Sequence, residues 1–269
     1  MPFRITMQHV EYLFRAPSAQ SWENAYKEGK TNAVQSKFVQ TKPVEELYDT
    51  EKDPWEVNNL AGDPAYAAVL ERMRKVETDW MRKIRDVGLI PETEYKNFVG
   101  KKSMYDYMRS ADCPFDELMK AADMATSGRE SSLNTFIQYL KNNNSAIRYW
   151  GATGLLILKD DAKPAIPALK EASRDKSGAV ATFAAEALYG LGDKELARKI
   201  YIHILQDTAA YDMNDQNFAL NSIDAINDNN PEMIAAVQQL FKELGSTPEG
   251  LASYPYRTAE WLFKKWGIK

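Results

Sequence analysis

Hydrophobic and polar positions change rhythm twice along this chain. At the start Phe3, Ile5 and Met7 alternate with Arg4, Thr6 and Gln8; after His9 the alternation resumes in the opposite phase at Val10, Tyr12 and Phe14. A two-residue period predicts a strand, and the phase flip predicts a bulge near His9. Chain ends usually fray, so a strand entered at residue 3 implies an internal segment whose preceding chain lies elsewhere. Ser21–Lys30 predicts a short helix with Trp22 and Tyr26 on one face. Lys42–Asp49 predicts a short strand that runs into the polar loop Thr50–Asn59. Asp63 suits a helix N-cap and Pro64 the first helical position. From there Tyr66, Val69, Leu70, Met73, Val76, Trp80 and Ile84 recur at spacings of three and four, an amphipathic helix over residues 64–86 closed by Gly88 and Pro91.

Beyond residue 110 only the helical period remains, and it repeats. Pro114–Ala125 aligns Phe115, Leu118, Met119 and Ala122 on one face. Trp150–Leu155 aligns with Phe183–Leu188 at a spacing of 33, with Phe218–Ile223 a further 35 on and Thr258–Phe263 another 40. Each copy keeps a small residue (Gly151, Ala184, Ala219, Ala259), an apolar residue four later and another three beyond that. Small residues permit close helix approach, so these copies predict the inner helices of stacked pairs. The outer helices are expected at Ser132–Leu140, Ala165–Ala172, Leu196–Leu205 and Met233–Leu244. The second copy, with Pro167 in its first helix and Asp175 at its turn, is similar to a HEAT repeat. The arginine favoured early in the second helix stands as Arg148 in the first copy but is Ala181 in the second, which leaves the inter-repeat ladder open there. The fold class expected is mainly α: an α-solenoid of HEAT-like helical pairs over residues 101–269. A small α+β segment precedes it over residues 1–100, with a short antiparallel sheet and the helix 64–86.

The run Glu46–Leu47–Tyr48–Asp49, then Asp53–Pro54, Glu56 and Asn59–Leu60, resembles the E-L-Y-D-x-x-x-D-P-x-E-x-x-N-L segment of sulfatases. Gln8–Leu13, Ser21–Trp22, Lys42–Pro43, Trp80 and Gly88–Glu92 extend the resemblance toward the bacterial heparan-sulfamidase-like branch, over roughly residues 3 to 95. It implies a small carboxy-terminal subdomain beside a catalytic domain, hence a carboxy-terminal fragment of a sulfuric ester hydrolase acting on sulfated glycans. Export to the periplasm or the cell exterior follows by analogy, and the upstream catalytic domain is the implied partner. The local role of the motif is architecture: Asp53–Pro54 starts a turn and Asn58–Asn59 tolerate left-handed backbone.

Composition narrows the chemistry. A net charge of −4 argues against a nucleic-acid binder. No apolar run approaches the ~20 residues of a membrane span. A formylglycine site needs Cys or Ser in a C/S-x-P-S-R setting, whereas Cys113 is followed by Pro114–Phe115–Asp116–Glu117 and reads as a buried structural thiol. Asp160–Asp161 is the only adjacent aspartate pair and reads as a solvated cap. The carboxylates Glu45–Glu46 and Asp49–Glu51 have nothing apolar beside them to raise a pKa. No catalytic residue, metal ligand or cofactor is therefore expected here; calcium and formylglycine belong to the catalytic domain. Two residues are retained as a possible substrate-cleft rim, His9 and Arg4. His203, between Ile202 and Ile204, reads as structural. The second reading is a standalone HEAT-repeat scaffold that recruits a protein along the concave repeat face.

Overall fold

The structure is a computed structural model of the chain. It describes residues 11–14, 16–100, 102–245, 249–250 and 253–268. These fall into two compact units, Met1–Asp86 and Val87–Lys269.

In the first unit the chain forms α1 (Glu11–Phe14), α2 (Pro17–Lys27), α3 (Ala33–Lys37) and α4 (Ala67–Ile84). Proline opens α2, four residues ahead of the expected start. Its Trp22 ring stacks on Phe38 at 5.1 Å while the indole N–H donates to the Gln35 carbonyl at 3.0 Å. Asn32 and Gln35 cap α3 reciprocally. Asp63 accepts from the Ala65 amide at 2.9 Å and starts the single 3-10 turn that leads into α4.

The antiparallel sheet expected here is not found: the described residues contain no strand, only an isolated bridge position at Thr41. Glu11–Phe14 is helical. The reason is the brevity of the pattern, since Val10 and Phe14 are also four apart and so share a helix face as readily as a strand face. Residues 42–49 are extended, but Asn59 and Leu60 take the backbone bonds that a neighbouring strand would make. The strand reading over residues 3–10 lies outside the described residues.

The second unit begins with α5 (Tyr95–Val99), α6 (Met104–Arg109) and α7 (Phe115–Ser127). Four helical pairs follow: α8 (Leu133–Tyr139) with α9 (Ser145–Leu158), α10 (Ile166–Ala172) with α11 (Gly178–Gly190), α12 (Lys194–Gln206) with α13 (Met213–Ile226), and α14 (Pro231–Leu244) with α15 (Ser253–Trp266). The inner helices pack in series, α9 on α11, α11 on α13 and α13 on α15. Rings from three of them form one cluster, with Tyr149–Phe183 at 5.1 Å and Phe183–Phe218 at 5.0 Å. Gly151 lets α8 lie against α9: a Cβ there would sit 2.9 Å from Tyr139 Cβ and 3.0 Å from the Phe136 carbonyl oxygen.

Charged pairs tie successive pairs together. Arg148 grips Asp175 with Nε and Nη2 at 2.6 and 2.8 Å, while its Nη1 donates to the carbonyls of Asn142 and Asn143. A half-buried fork of this kind is worth more than a surface pair because both ends are oriented and largely dry. Where the second copy carries Ala181 the tie moves to another element: Arg198 of α12 reaches buried Asp228 beyond α13, with Nε at 2.6 Å.

Helices α9 and α11 are buried on every side from Ser145 to Leu155 and from Gly178 to Leu188. Part of that cover comes from residues 87–99, which cross the amino-terminal ends of the inner helices. The Leu89 carbonyl accepts from Trp150 Nε1 at 2.8 Å. Fully buried Glu94 accepts from Ser145 at the start of α9, from Ser177 at the start of α11 at 2.5 Å, and from Asn97 at 2.8 Å. Two residues on, Lys96 bonds Asp212 at 2.9 Å and Asp215 at 2.5 Å in the first turn of α13. Burial pushes the Asp215 carboxyl above its usual range, against the pull of Lys96. Its Oδ1 fits against α11 because residue 178 is glycine; a Cβ there would stand 2.4 Å away.

Gly151→Ala is expected to lower stability by about 1–3 kcal/mol, the usual cost of overpacking. Gly190→Ala, where an added Cβ meets nothing within 4 Å, should change it by less than ~0.5 kcal/mol. Urea midpoints of the two variants check this.

Candidate functional site

His9 and Arg4, the expected cleft rim, lie outside the described residues. Among the described residues no three or more His, Cys, Asp or Glu side chains group so as to hold a metal ion. No described helix is long and apolar enough to cross a membrane. Cys113 is half-buried rather than enclosed, with Sγ 3.7 Å from Met108 Sδ. Asp160 and Asp161 are exposed in the 3-10 turn after α9. His203 sits on α12, edge-on to the Tyr211 ring at 5.6 Å and 3.9 Å from Asp207.

The motif residues converge on backbone rather than on a cleft. Asn59 Oδ1 accepts from the Leu47 and Ala61 amides at 2.9 and 3.0 Å, and its amide group donates to the Glu45 carbonyl at 2.9 Å. The Leu60 amide donates to the Leu47 carbonyl at 2.8 Å, so one side chain and one peptide do the work of a ladder step. Asp49 accepts from the Lys52 amide through its carboxylate at 3.2 Å and from the Asp53 amide through its carbonyl at 2.7 Å. The Asp53 carboxylate holds the Asn58 amide at 2.7 Å. This closes a loop around Glu56, the one residue of it at positive φ. Trp55 stands at the tip, 84% exposed.

This unit also exposes an apolar helix face. Helix α4 has 18 residues, of which Leu70 alone is buried. Val69, Met73, Val76 and Trp80 recur at spacings of four, three and four, so they lie on one face; they are 37, 48, 61 and 59% exposed. An isolated helix of this length is marginal in water, and contiguous apolar surface on a folded unit marks an interaction site. A two-pronged ion pair from Arg74 to Glu45 fastens α4 to the motif segment and holds the Glu45 carboxyl below its usual range. The periodicity found this stripe, but it could not say that the stripe faces solvent. The seat of Glu94 had no sequence signal, since Thr93–Phe98 shows neither period.

No family model matches the chain, and no solved structure matches it significantly. Two curated proteins do. An ulvan-active sulfatase of Formosa agariphila is 38% identical over 89 residues, 33% of this chain. A second ulvan-active sulfatase of the same organism is 38% identical over 52 residues, 19% of this chain. One region of this chain is sulfatase-related. The matched stretches amount to 15% and 10% of those relatives' own lengths.

Asn59→Ala should raise amide exchange at Leu47 and Ala61 together, with a loss of about 1–3 kcal/mol for stranding their donors. Unchanged exchange at both would show that the motif asparagine is not what fixes this segment.

Proposed function

We propose that this chain is the carboxy-terminal part of a sulfatase, a sulfuric ester hydrolase acting on sulfated glycans, and that it carries no formylglycine or calcium site of its own. The observation that carries the reading is the 38% identity to an ulvan-active sulfatase over 89 residues. Two features support it. Within the motif from Glu46 to Leu60, Asp53 and Asn59 spend their polar groups on backbone, which suits a supporting role. The apolar face of α4 then serves as the seat of the catalytic domain, which brings the hydrolytic chemistry and its calcium. The HEAT-like pairs extend this carboxy-terminal part.

The test is hydrolysis. The chain alone should release no sulfate from an aryl sulfate or from sulfated ulvan oligosaccharides, whereas the reading frame that includes coding sequence 5′ of Met1 should encode a C/S-x-P-S-R motif and be active. Turnover by the chain alone would overturn the proposal, as would an in-frame stop immediately before Met1 with its own ribosome-binding site.

A further inference from the structure

Three inner helices whose first residues are 145, 178 and 213 begin against two side chains only two positions apart, Glu94 and Lys96. Glu94 joins α9 to α11, and Lys96 adds α13. The arrangement has no single-contact substitute. A buried carboxylate without a cation is tolerable when several donors and the positive ends of helices surround it. Glu94 has the Ser145 and Ser177 hydroxyls, the Asn97 amide and two helix starts. Lys96 is the cation paired with buried Asp215 among the described residues. Withdrawing either residue therefore strands groups on helices far apart in sequence.

The seat also carries its own opposition. Thr93 Oγ1 and Asp215 Oδ1 are buried and have no hydrogen-bond partner among the described residues. The seat is thus less fully satisfied by the protein's own groups than a core in which every polar atom is paired. The 3-10 turn Glu92–Glu94 and the short α5 that hold these side chains have little helical structure of their own to preserve.

We propose that residues 89–97 are a latch, closed in this structure, that makes the starts of α9, α11 and α13 open and close as one cooperative unit. In this form the inner face is reserved for the chain's own segment, and access to the ends of the inner helices requires release of the latch. The device goes beyond the sulfatase reading and does not rest on it.

Hydrogen exchange of the full chain tests it, resolved by peptide. Glu94→Ala should accelerate exchange about 10-fold at the starts of all three helices (residues 145–148, 178–181 and 213–216), while the later halves, such as 184–188, stay at wild-type rates. Glu94→Gln keeps an oxygen that can accept from the serines and should shift the same peptides by less than about 3-fold. Lys96→Met should act on residues 92–97 and the start of α13. If Glu94→Ala does not fold, Ser177→Ala removes one donor from the seat and decides the matter by the same peptides, acceleration at 145–148 being the sign of coupling. Acceleration confined to residues 92–97, or spread evenly over residues 87–269, would overturn the proposal.

Discussion

A carboxylate taken wholly out of water must be compensated where it sits, and in the second unit that requirement falls on Glu94. Among the described residues its partners are two serine hydroxyls and an asparagine amide, at the first turns of α9 and α11. Because those groups belong to different helical pairs, satisfying one side chain fixes where two helices begin. Lys96 extends the same demand to α13 through Asp212 and buried Asp215. Helix-to-helix packing through Gly151 and the Tyr149–Phe183–Phe218 rings then operates on ends already placed. Apolar contact supplies most of the driving force for burying α9 and α11, but it is nondirectional, and register comes from these polar seats.

This division explains what could be read in advance. Inner and outer helices announce themselves by a 3.6-residue period, and a small residue at 151, 184, 219 and 259 marks the close approaches. Arg148 and Asp175 were separately visible as a helix arginine and a turn aspartate, and the fold closes them into a fork. By contrast the segment over residues 87–99 is built of two 3-10 turns and the five-residue α5, pieces too short to carry a period, and its position comes from long-range partners. Glu94 and Ser145 are 51 positions apart, Glu94 and Ser177 83. Among the described residues the expected sheet is absent for the opposite reason. Its signal was a period of two over a handful of residues, and short alternation leaves helix, strand and side-chain-braced extended chain equally open.

In the first unit the sulfatase-like motif is informative because of what its polar residues do not do. Asp49, Asp53 and Asn59 are occupied with backbone amides and carbonyls, and Glu45 with Arg74. Arg74 and Lys52 hold the Glu45 and Asp49 carboxyls below their usual range, the opposite of what a general acid needs. The feature left without a partner is apolar, the stripe from Val69 to Trp80 on a helix that buries only Leu70. An amphipathic pattern identifies such a face, yet only coordinates show that nothing among the described residues covers it.

The claim most exposed to contradiction is that the segment over residues 87–99 stays seated on the helical array until the array itself unfolds, latch release being a minor excursion within the native state. Fluorine NMR of the chain labelled with 5-fluorotryptophan gives separate signals for Trp150, whose indole bonds Leu89, and for Trp261 on α15, whose indole bonds half-buried Asp224 of α13. A Trp150→Phe variant assigns the first. In a urea titration the two native signals should vanish at the same midpoint, as one cooperative unit requires. Loss of the native Trp150 signal at lower urea, with Trp261 still native, would mean that the segment peels away from helices that stand without it.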